Sequence, residues 1–448
     1  MITFPRERIV NPPGSPEEVR WRLGGSFFVN VRDLGAVGRG NAADADHDTL
    51  AFRQAIEVAR TRGRPIGIPA GTYFINEPLV YHTEDDFAQG LILFGAGMRS
   101  STLVNLVDGE PLLSLIGGDS NGHKQWGGRI ADFSIRYPEP EDVPARITDR
   151  GVIELRCQWH CDIERIRIMN CSGSGIRVVS EDTTGQGDWD SSNYLRFNNC
   201  HFDFNRGYGM HFDSIEGTLG FSNTSIEHCA TTGNVLGGIR GDGVGYFVVR
   251  NCGIGANGIL GIDGSCGGIY IPYNRGVSSQ QIVVEECEID SNNPYGIWLE
   301  GCIGGEISRN RFVETVSTEE WESDKKGIYI GHPEMFYWDE VAGRWKPDYG
   351  TITSLACREN WFAIGAYRAN DTAPYRGSYT AFDVSKETGY PYVNKLYIEK
   401  TYWGSQDIYV QSDDFKKMVK WGGDASRSDP TSVGAIVVFD EALIRMTR

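Results

Sequence analysis

The sequence predicts an all-β solenoid, a parallel β-helix whose short strands stack coil upon coil around one long interior. A strand opened by Gly recurs through the middle of the chain, with successive starts 34, 29, 30, 28 and 31 residues apart. The copies read GIRVVS from Gly175, GMHFDS from Gly209, GIRGDG from Gly238, GIYIPY from Gly268, GIWLEG from Gly296 and GIYIGH from Gly327. Between these copies falls a second phrase that ends in Cys171, Cys200, Cys229, Cys252 and Cys287. Two phrases that share one period indicate stacked repeats.

Each repeat is built from strands, because apolar residues alternate within segments such as YLRF, FVVR and IVVE, which are too short for helices. The links between them, such as FNRGYG and DSNNPYG, are rich in Asn and Gly. These residue types tolerate the left-handed backbone conformation that tight corners need. Each period therefore predicts one coil.

The recurring Cys residues are interpreted as a ladder of small apolar side chains stacked in the interior. Disulfides between neighbouring coils are the alternative. Ten Cys in 448 residues are too sparse for a disulfide scaffold, and no CxxC pair suggests zinc or redox chemistry. We assign the thiols no chemistry.

Charge and hydropathy exclude some partners. The net charge of −17 argues against nucleic acid or an anionic membrane as partner, since both need clustered Lys and Arg. No run of about 18 apolar residues occurs, and the N-terminus lacks the apolar centre of a secretory signal. We expect no membrane partner. Localisation stays open among cytoplasm, virion and secretion after removal of a leader.

Residues Val29 to Ile75 carry three phrases: a strand with DLGAVG at Asp33 to Gly38, a polar loop that ends in HDTLAFRQAI, and PAGTYFI at Pro69 to Ile75. Together they resemble the N-terminal signature of the pectate-lyase-like superfamily of right-handed parallel β-helices. Polysaccharide lyases, polygalacturonase-type hydrolases, uronan epimerases, inulin fructotransferases and tailspike depolymerases share this opening. The resemblance implies the fold and a carbohydrate partner, but no single reaction. By analogy it also implies a homo-oligomer, a trimer.

The expected organisation has four parts. They are an N-terminal extension at 1–28, a cap with an amphipathic helix at 29–80, coils at 81–365 and a C-terminal β appendage at 366–448, where strand composition continues without the period.

The N-terminal capping helix is expected to begin at Asp48-Thr49 and to cover the open end of the first coil. Its predicted apolar face consists of Leu50, Phe52, Ala55, Ile56 and Ala59. The acidic residues Asp33, Asp44, Asp46 and Asp48 allow a calcium loop as the alternative. Surface turns and the start of the helix account for them as well, and we expect no cofactor.

The Gly-opened strands also predict an outward face, because side chains alternate across a strand. One outward row consists of Arg177, His211, Arg240, Tyr270, Trp298 and Tyr329. The row two residues further consists of Val179, Asp213, Asp242, Pro272, Glu300 and Gly331. Aromatic rings stack on the apolar faces of sugar rings, whereas Arg and carboxylates bind hydroxyl or acid groups. This mixture indicates a groove for a carbohydrate polymer or oligosaccharide; a solvated face or a subunit interface is the alternative.

The leading hypothesis is a glycoside hydrolase or a related glycan-cleaving transferase. Asp213 and Asp242, about 4.8 Å apart on adjacent coils, would serve as acid and as base or nucleophile, with Glu300 as the substitute partner. The binding residues would be Arg177, Arg240, Tyr270, Trp298, Tyr329, and Asp188, Trp189 and Asp190 from an insertion that overhangs the groove. We expect no metal at this site.

Two other functions stay open. A polysaccharide lyase or uronan epimerase would use Arg177 or Arg240 to neutralise a uronate and His211 to remove its C5 proton. A tailspike or adhesin would bind the glycan without cleaving it.

Overall fold

The computed structural model describes residues 27–365, with gaps at 84–87, 108, 118–123, 138–147, 181–190, 260–261, 263, 275–276, 316–324, 332–334, 340–343 and 349–350. Beyond residue 365 it describes seven strands, which lie between Tyr379 and Leu443. The described part is mostly strand, with one α-helix near its start.

The N-terminal strands are β1 Val29–Asn30, β2 Ile66–Ile68, β3 Gly71–Ile75, β4 Leu79–Thr83, β5 Ala88–Gln89, β6 Ile92–Gly95, β7 Ser101–Asn105, β8 Leu113–Gly117, β9 Gln125–Trp126 and β10 Arg129–Arg136. The central strands are β11 Gly151–Arg156, β12 Gln158–Trp159, β13 Asp162–Met169, β14 Ser174–Ser180, β15 Ser192–Asn193, β16 Arg196–Asn198, β17 His201–Asp203, β18 Tyr208–Ser214, β19 Phe221–Glu227, β20 Ala230–Thr232, β21 Gly237–Gly241, β22 Val244–Arg250, β23 Gly253–Gly255, β24 Gly267–Ile271, β25 Ser279–Glu285, β26 Glu288–Asp290, β27 Tyr295–Leu299, β28 Cys302–Ser308, β29 Arg311–Thr315 and β30 Lys325–Ile330. The remaining strands are β31 Met335–Asp339, β32 Arg344–Asp348, β33 Thr351–Arg358, β34 Trp361–Gly365, β35 Tyr379–Val384, β36 Tyr392–Glu399, β37 Tyr402–Trp403, β38 Ile408–Ser412, β39 Val419–Trp421, β40 Val438–Phe439 and β41 Ala442–Leu443.

The coils stack as predicted, in a 12-stranded sheet and a 25-stranded sheet. The 12-stranded sheet has the order β4-β8-β11-β14-β18-β21-β24-β27-β30-β35-β38-β39 and contains all six Gly-opened strands. Its pairs are parallel except β38 with β39. One buried row runs in register through seven of its strands and consists of Ile153, Ile176, Met210, Ile239, Ile269, Ile297 and Ile328. The predicted parallel β-helix is confirmed.

Parallel pairing continues beyond residue 365. Strands β35, β36, β37 and β38 pair in parallel with the strands of the preceding coil. The four-part division of the chain stays a prediction. The hairpin formed by β31 and β32 lies between β30 and β33. This insertion lengthens one coil and hides the period in the sequence.

All ten cysteines are buried, among them the five for which burial was predicted. Cys200, Cys229, Cys252 and Cys287 stack at one corner of successive coils. The ladder does not include Cys171, whose backbone N–H donates to Asn205 Oδ1 at 3.2 Å. The long strand β13 passes the cysteine corner without a break, so the Asn170-Cys171 phrase falls at the next corner instead.

That next corner carries a ladder of buried asparagines. Asn205, Asn234, Asn257 and Asn292 each donate or accept a side-chain bond to the neighbouring coil, with N to O distances of 2.9 to 3.0 Å. Their side chains also bond backbone carbonyls. Because a buried amide without partners is costly, the ladder fixes the register of the coils.

The N-terminal cap is helix α1, Ala45–Arg62, which begins one turn before the predicted start. Phe52, Ala55, Ile56 and Ala59 are buried as expected, but Leu50 is exposed and Ala51 takes its place. The DLGAVG segment also differs from prediction: the strand ends at Asn30, and Val31–Leu34 form a 3-10 turn that Gly35 ends with φ of 106°.

Asp48 joins the cap to the first coils. Its Oδ1 accepts from the N–H groups of Val37 and Gly38 at 2.6 and 3.2 Å, and its Oδ2 accepts from Phe74 N–H at 3.0 Å. Asp46 accepts from the Asn76 side chain. These hydrogen bonds give both aspartates of the helix partners within the protein.

Within the described residues, neither the α-helix nor the 3-10 turns have the length and apolar character that a membrane crossing requires.

Asp48→Ala should lower the free energy of unfolding by about 3 kcal/mol, because three amides next to the core lose a charged acceptor. Asp48→Asn should lie between this variant and the wild type. Denaturant unfolding measures the effect. Asp46→Ala is the control and should change the free energy of unfolding by less than about 1 kcal/mol. An equal loss of stability in Asp46→Ala and Asp48→Ala would contradict the role of Asp48.

Candidate functional site

The outward row predicted from sequence is present in register. Successive parallel pairs align Glu154, Arg177, His211, Arg240, Tyr270, Trp298 and Tyr329 on the 12-stranded sheet. The N-terminal half of this row is charged and the C-terminal half is aromatic. Asp213 and Asp242 follow two residues behind His211 and Arg240.

Arg177 lies between two carboxylates. Its Nε donates to Asp213 Oδ2 at 2.9 Å, Nη2 donates to the same oxygen, and Nη1 donates to Glu154 Oε1 at 3.2 Å. Burial alone would lower the pKa of this guanidinium, but the charges of Asp213 and Glu154 outweigh burial and raise it. Arg177 was expected to bind substrate; in this structure its donors hold Asp213 in place.

Asp242 is bound from two sides. Arg240 Nε lies 3.1 Å from each of its carboxylate oxygens, and His211 Nε2 lies 3.1 Å from Oδ2. Burial would raise the pKa of Asp242, but the hydrogen bond with His211 and the charge of Arg240 lower it below its ordinary range. Asp242 is therefore a carboxylate at neutral pH, and it accepts a hydrogen bond from the His211 ring.

Tyr208 completes this side of the site. Arg240 Nη1 donates to the Tyr208 hydroxyl at 3.0 Å, and that hydroxyl donates to Gly264 O at 3.1 Å. The Tyr208 ring lies 4.9 Å from the His211 ring between centroids. Arg240 and His211 are thus both fixed by contacts within the protein.

The groups with reactive chemistry converge. One side-chain N or O atom from each of His211, Asp213 and Asp242 lies within 4.8 Å of the other two. Such a set could hold a cation, but each carboxylate already receives hydrogen bonds from an arginine. The donor set is satisfied within the protein and fits acid-base chemistry better than metal binding. The Asp213 side chain is 30% exposed and that of Asp242 is 10% exposed, so Asp213 is the more accessible of the two carboxylates.

The aromatic half of the row forms a packed platform. The Tyr270 and Trp298 rings stack at 4.3 Å, and the Tyr295 and Tyr329 rings stack at 4.6 Å. Trp298 Nε1 donates to Gly331 O at 3.0 Å, which fixes the indole. Arg240 reaches the near end, with its guanidinium carbon 5.4 Å from the Tyr270 ring centroid. The stack of Tyr270 on Trp298 follows the prediction.

Glu300 is placed differently from the expectation. It was expected to face the groove as a substitute catalytic carboxylate, but it is buried behind the platform. Tyr270 Oη donates to Oε1 at 2.9 Å and Tyr273 N–H donates to Oε2 at 3.0 Å. Burial raises the pKa of Glu300 to about 7, against which these two hydrogen bonds act.

Other expected members divide into two groups. Val179, expected on the second outward row, is buried. Asp188, Trp189 and Asp190 lie outside the described residues. Their proposed contact with the substrate stays a prediction.

Three residues of the site were missed in the sequence. Glu154 lies in GVIELR, where an additional residue between the Gly and the outward position shifts the phrase by one. Tyr208 and Tyr295 precede the Gly of their strands. A search for the phrase with one allowed shift, and for aromatic residues before the Gly, would have found all three.

Comparisons with known proteins agree with the fold. Residues 151–333 match the family model described as right handed beta helix region. Comparison with curated protein sequences gives no match. Among solved structures, the chain is similar to ORF18 of Geobacillus virus E2, with a TM-score of 0.53 and 13% identity over 85% of this chain and 63% of that chain. It is also similar to the enzymatically active domain of tailspike protein 2 of bacteriophage CBA120, with a TM-score of 0.52 and 11% identity over 84% of this chain and 47% of that chain.

This chain thus spans less than two thirds of the length of either structure. At these identities the similarity shows the fold alone.

The buried Glu300 makes stability depend on pH. Its pKa in the folded protein, about 7, lies above the ordinary value of 4.5, so the folded state holds the proton more tightly. This contribution to stability is complete below pH 4.5 and is lost as pH rises to about 7. The melting temperature of the wild type, compared with that of Glu300→Gln, should therefore fall across this window, by the equivalent of about 3 kcal/mol.

Thermal unfolding of both proteins from pH 4 to pH 8 measures this difference. Glu288→Gln, an exposed position, is the control and should follow the wild type. A difference between wild type and Glu300→Gln that stays constant with pH would contradict the raised pKa.

Proposed function

We propose that this chain, a member of the right-handed parallel β-helix superfamily, cleaves glycosidic bonds of a polysaccharide or oligosaccharide on its 12-stranded sheet. One observation carries the proposal: the cluster of His211, Asp213 and Asp242 and the aromatic platform occupy the same outward face. Sugar rings stack on aromatic rings, and cleavage of the bond between them needs a proton donor and a base or nucleophile within reach.

The environments of the three groups suggest their roles. Asp242 is ionised at neutral pH because its pKa is lowered, so it is suited to orient His211 and to stabilise its protonated ring. His211 then donates the proton to the leaving oxygen. Asp213, the more exposed carboxylate, acts on the sugar carbon from which that oxygen departs.

The spacing bears on the route. Carboxyl groups about 5 Å apart are typical of retaining enzymes, whereas about 6.5 to 9.5 Å leaves room for an attacking water. In the proposed roles the acid is His211, and one of its ring nitrogens lies within 4.8 Å of an Asp213 carboxylate oxygen. This separation favours Asp213 as a nucleophile whose carboxylate bonds to the sugar carbon, after which water hydrolyses the intermediate or a second sugar accepts it.

Elimination or epimerisation of a uronate is the second candidate, because His211 and Arg240 are neighbours in one row. Against it stands the pairing of both arginines: Arg177 bonds Asp213 and Glu154, and Arg240 bonds Asp242. A uronate would compete with these carboxylates for the same guanidinium groups. Ultraviolet absorbance of unsaturated products distinguishes elimination from hydrolysis.

Asp213→Asn and Asp242→Asn should each lower turnover by at least about 100-fold, the low end for loss of an acid-base group. Binding should survive, because the aromatic platform is unchanged. The measurement is mass spectrometry of digests after screening on a glycan array. Normal turnover in both variants would remove the pair from the mechanism, and binding without product by the wild type would instead favour a non-catalytic tailspike or adhesin.

A matched control exists for the Asp213 variant. Asp203 is a buried aspartate that accepts from Arg167 Nε at 2.9 Å, on the 25-stranded sheet. Asp203→Asn breaks the same kind of pair away from the groove. It should leave turnover within about two-fold of the wild type, since changes outside the site act through stability.

Trp298→Ala should weaken binding by about 1 kcal/mol or more, because a stacking ring is lost from the platform. Trp361→Ala is the control, since Trp361 contacts Arg311 on the other sheet. Isothermal titration with an oligosaccharide identified on the array measures both. Equal affinities would place the groove elsewhere.

The oligomeric state, expected to be trimeric, stays a prediction.

A further inference from the structure

A second group of exposed aromatic side chains lies around the corner from the site. It consists of Trp126, Trp159, His160, Tyr194 and Tyr246, here called the aromatic strip. Trp126 is 40% exposed, Tyr194 42% and Tyr246 58%. The groove does not use these residues, and the core does not enclose them.

The strip runs along the axis of the solenoid. The register pairs Trp126 with Trp159, and it continues from Trp159 through Asn193 and Ser222 to Gly245. His160, Tyr194 and Tyr246 each follow one residue later and therefore share one row. Four steps between coils give the strip a length of about 19 Å.

The residues of this row lie at a tight corner of the coil. His160, Tyr194 and Tyr246 have φ of 53°, 56° and 49°, as do residues of many types at the other corners. The corner directs the two tyrosine side chains outward, and their exposure is the feature that points to a ligand.

Contacts between neighbouring rings of the strip hold them in place before a ligand binds. His160 and Tyr194 stack with their planes 3° apart and centroids 4.4 Å apart, and Trp126 lies 4.6 Å from His160. Lys124 Nζ lies 4.4 Å from the Trp159 centroid. Because the rings already support one another, a ligand that stacks on them loses little conformational entropy to the protein.

Uncharged polar groups flank the rings. Ser222 Oγ donates to Asn193 Oδ1 at 2.6 Å, and Asn223 Nδ2 donates to Ser222 Oγ at 3.1 Å. Amide and hydroxyl groups of this kind bond sugar hydroxyls, and the net charge of −17 disfavours an anionic polymer. Tyr246 follows Asp242 by four residues, so one end of the strip and the reactive cluster share a coil.

We propose that the aromatic strip binds a stretch of a neutral polysaccharide outside the cleavage groove. The inference takes its ligand class from the proposed function but does not depend on cleavage. The strip holds the polymer by its apolar ring faces and so keeps the chain near the cluster of His211, Asp213 and Asp242.

The test is electrophoresis of the folded chain through native gels that contain dextran, xylan or inulin, with alginate as the acidic comparison. The variant is Tyr194→Asn combined with Tyr246→Asn. Asn suits the left-handed backbone, so these changes should not lower the melting temperature. A neutral polysaccharide should retard the wild type, and the dissociation constant of the double variant should be at least about ten-fold higher, as loss of two stacking rings predicts.

Phe204→Asn is the matched control. Phe204 is an aromatic residue at φ of 55°, is 53% exposed, and lies at a different corner of the coil. It should be retarded like the wild type. Equal retardation of the double variant, no retardation of the wild type by any neutral polysaccharide, or retardation by alginate alone would each overturn the proposal.

Two further measurements separate this proposal from others. Asp213→Asn should still be retarded, because the change lies outside the strip. Absence of cleavage by the wild type, with retardation retained, would remove the proposed reaction and leave the strip in place. Light scattering of the double variant reports the oligomeric state. A shift from oligomer to monomer with unchanged retardation would assign the strip to contacts between copies and overturn glycan binding.

Discussion

The parallel register between coils is the constraint on which the rest of the structure depends. Neighbouring coils repeat every side-chain position at about 4.8 Å, so each position becomes a row whose members must suit one another. The interior meets this condition with stacked apolar residues such as Ile239, Ile269 and Ile297. The buried corner meets it with asparagines whose amides bond from coil to coil. The apolar row and the asparagine row therefore both stabilise the same register between coils.

The same constraint shapes the charged half of the outward row. Like charges on adjacent coils repel at this spacing. Glu154, Arg177 and Asp213 instead alternate in sign, and so do Arg240 and Asp242. Two carboxylates can thus stand close together in one cluster because a guanidinium compensates each of them.

The surroundings of Asp242 and Glu300 shift the pKa values of these two carboxyl groups in opposite directions. Asp242 is buried but receives hydrogen bonds from Arg240 and His211, and its pKa is lowered. Glu300 is also buried, yet its direct partners are the Tyr270 hydroxyl and the Tyr273 amide, and its pKa is raised to about 7. Desolvation acts on both groups, and the proximity of a cation decides the direction. Pairs of carboxyl groups separated in this way are common where proton transfer is catalysed.

The sequence predicted the coils and the first outward row because two regular patterns overlap: alternation along a strand and recurrence of the Gly-opened phrase. The second row was only partly right, since Val179 and Glu300 are buried. The sequence did not predict features that depend on corners and insertions. Cys171 belongs to the repeated phrase but lies one corner beyond the other cysteines of the ladder, because β13 continues where other coils turn. Nor did the period reveal the parallel pairing of β35 with β30 and of β38 with β35, because the inserted hairpin interrupts it. The burial of Glu300 and the pairing of Arg177 depend on side-chain directions that a strand pattern leaves open.

The aromatic strip places large aromatic side chains at corner positions of the coil that have a left-handed backbone. A β-helix corner requires a left-handed backbone, which is occupied by Asn at Asn199 and Asn251 and by other residue types at His228, Glu286 and Arg309. At Tyr194 and Tyr246 nearby side chains do not bury the rings. Exposed aromatic side chains grouped on one surface are typical of interaction sites. The coil that carries Asp242 also carries Tyr246, so the strip and the cluster of His211, Asp213 and Asp242 share one coil of the solenoid.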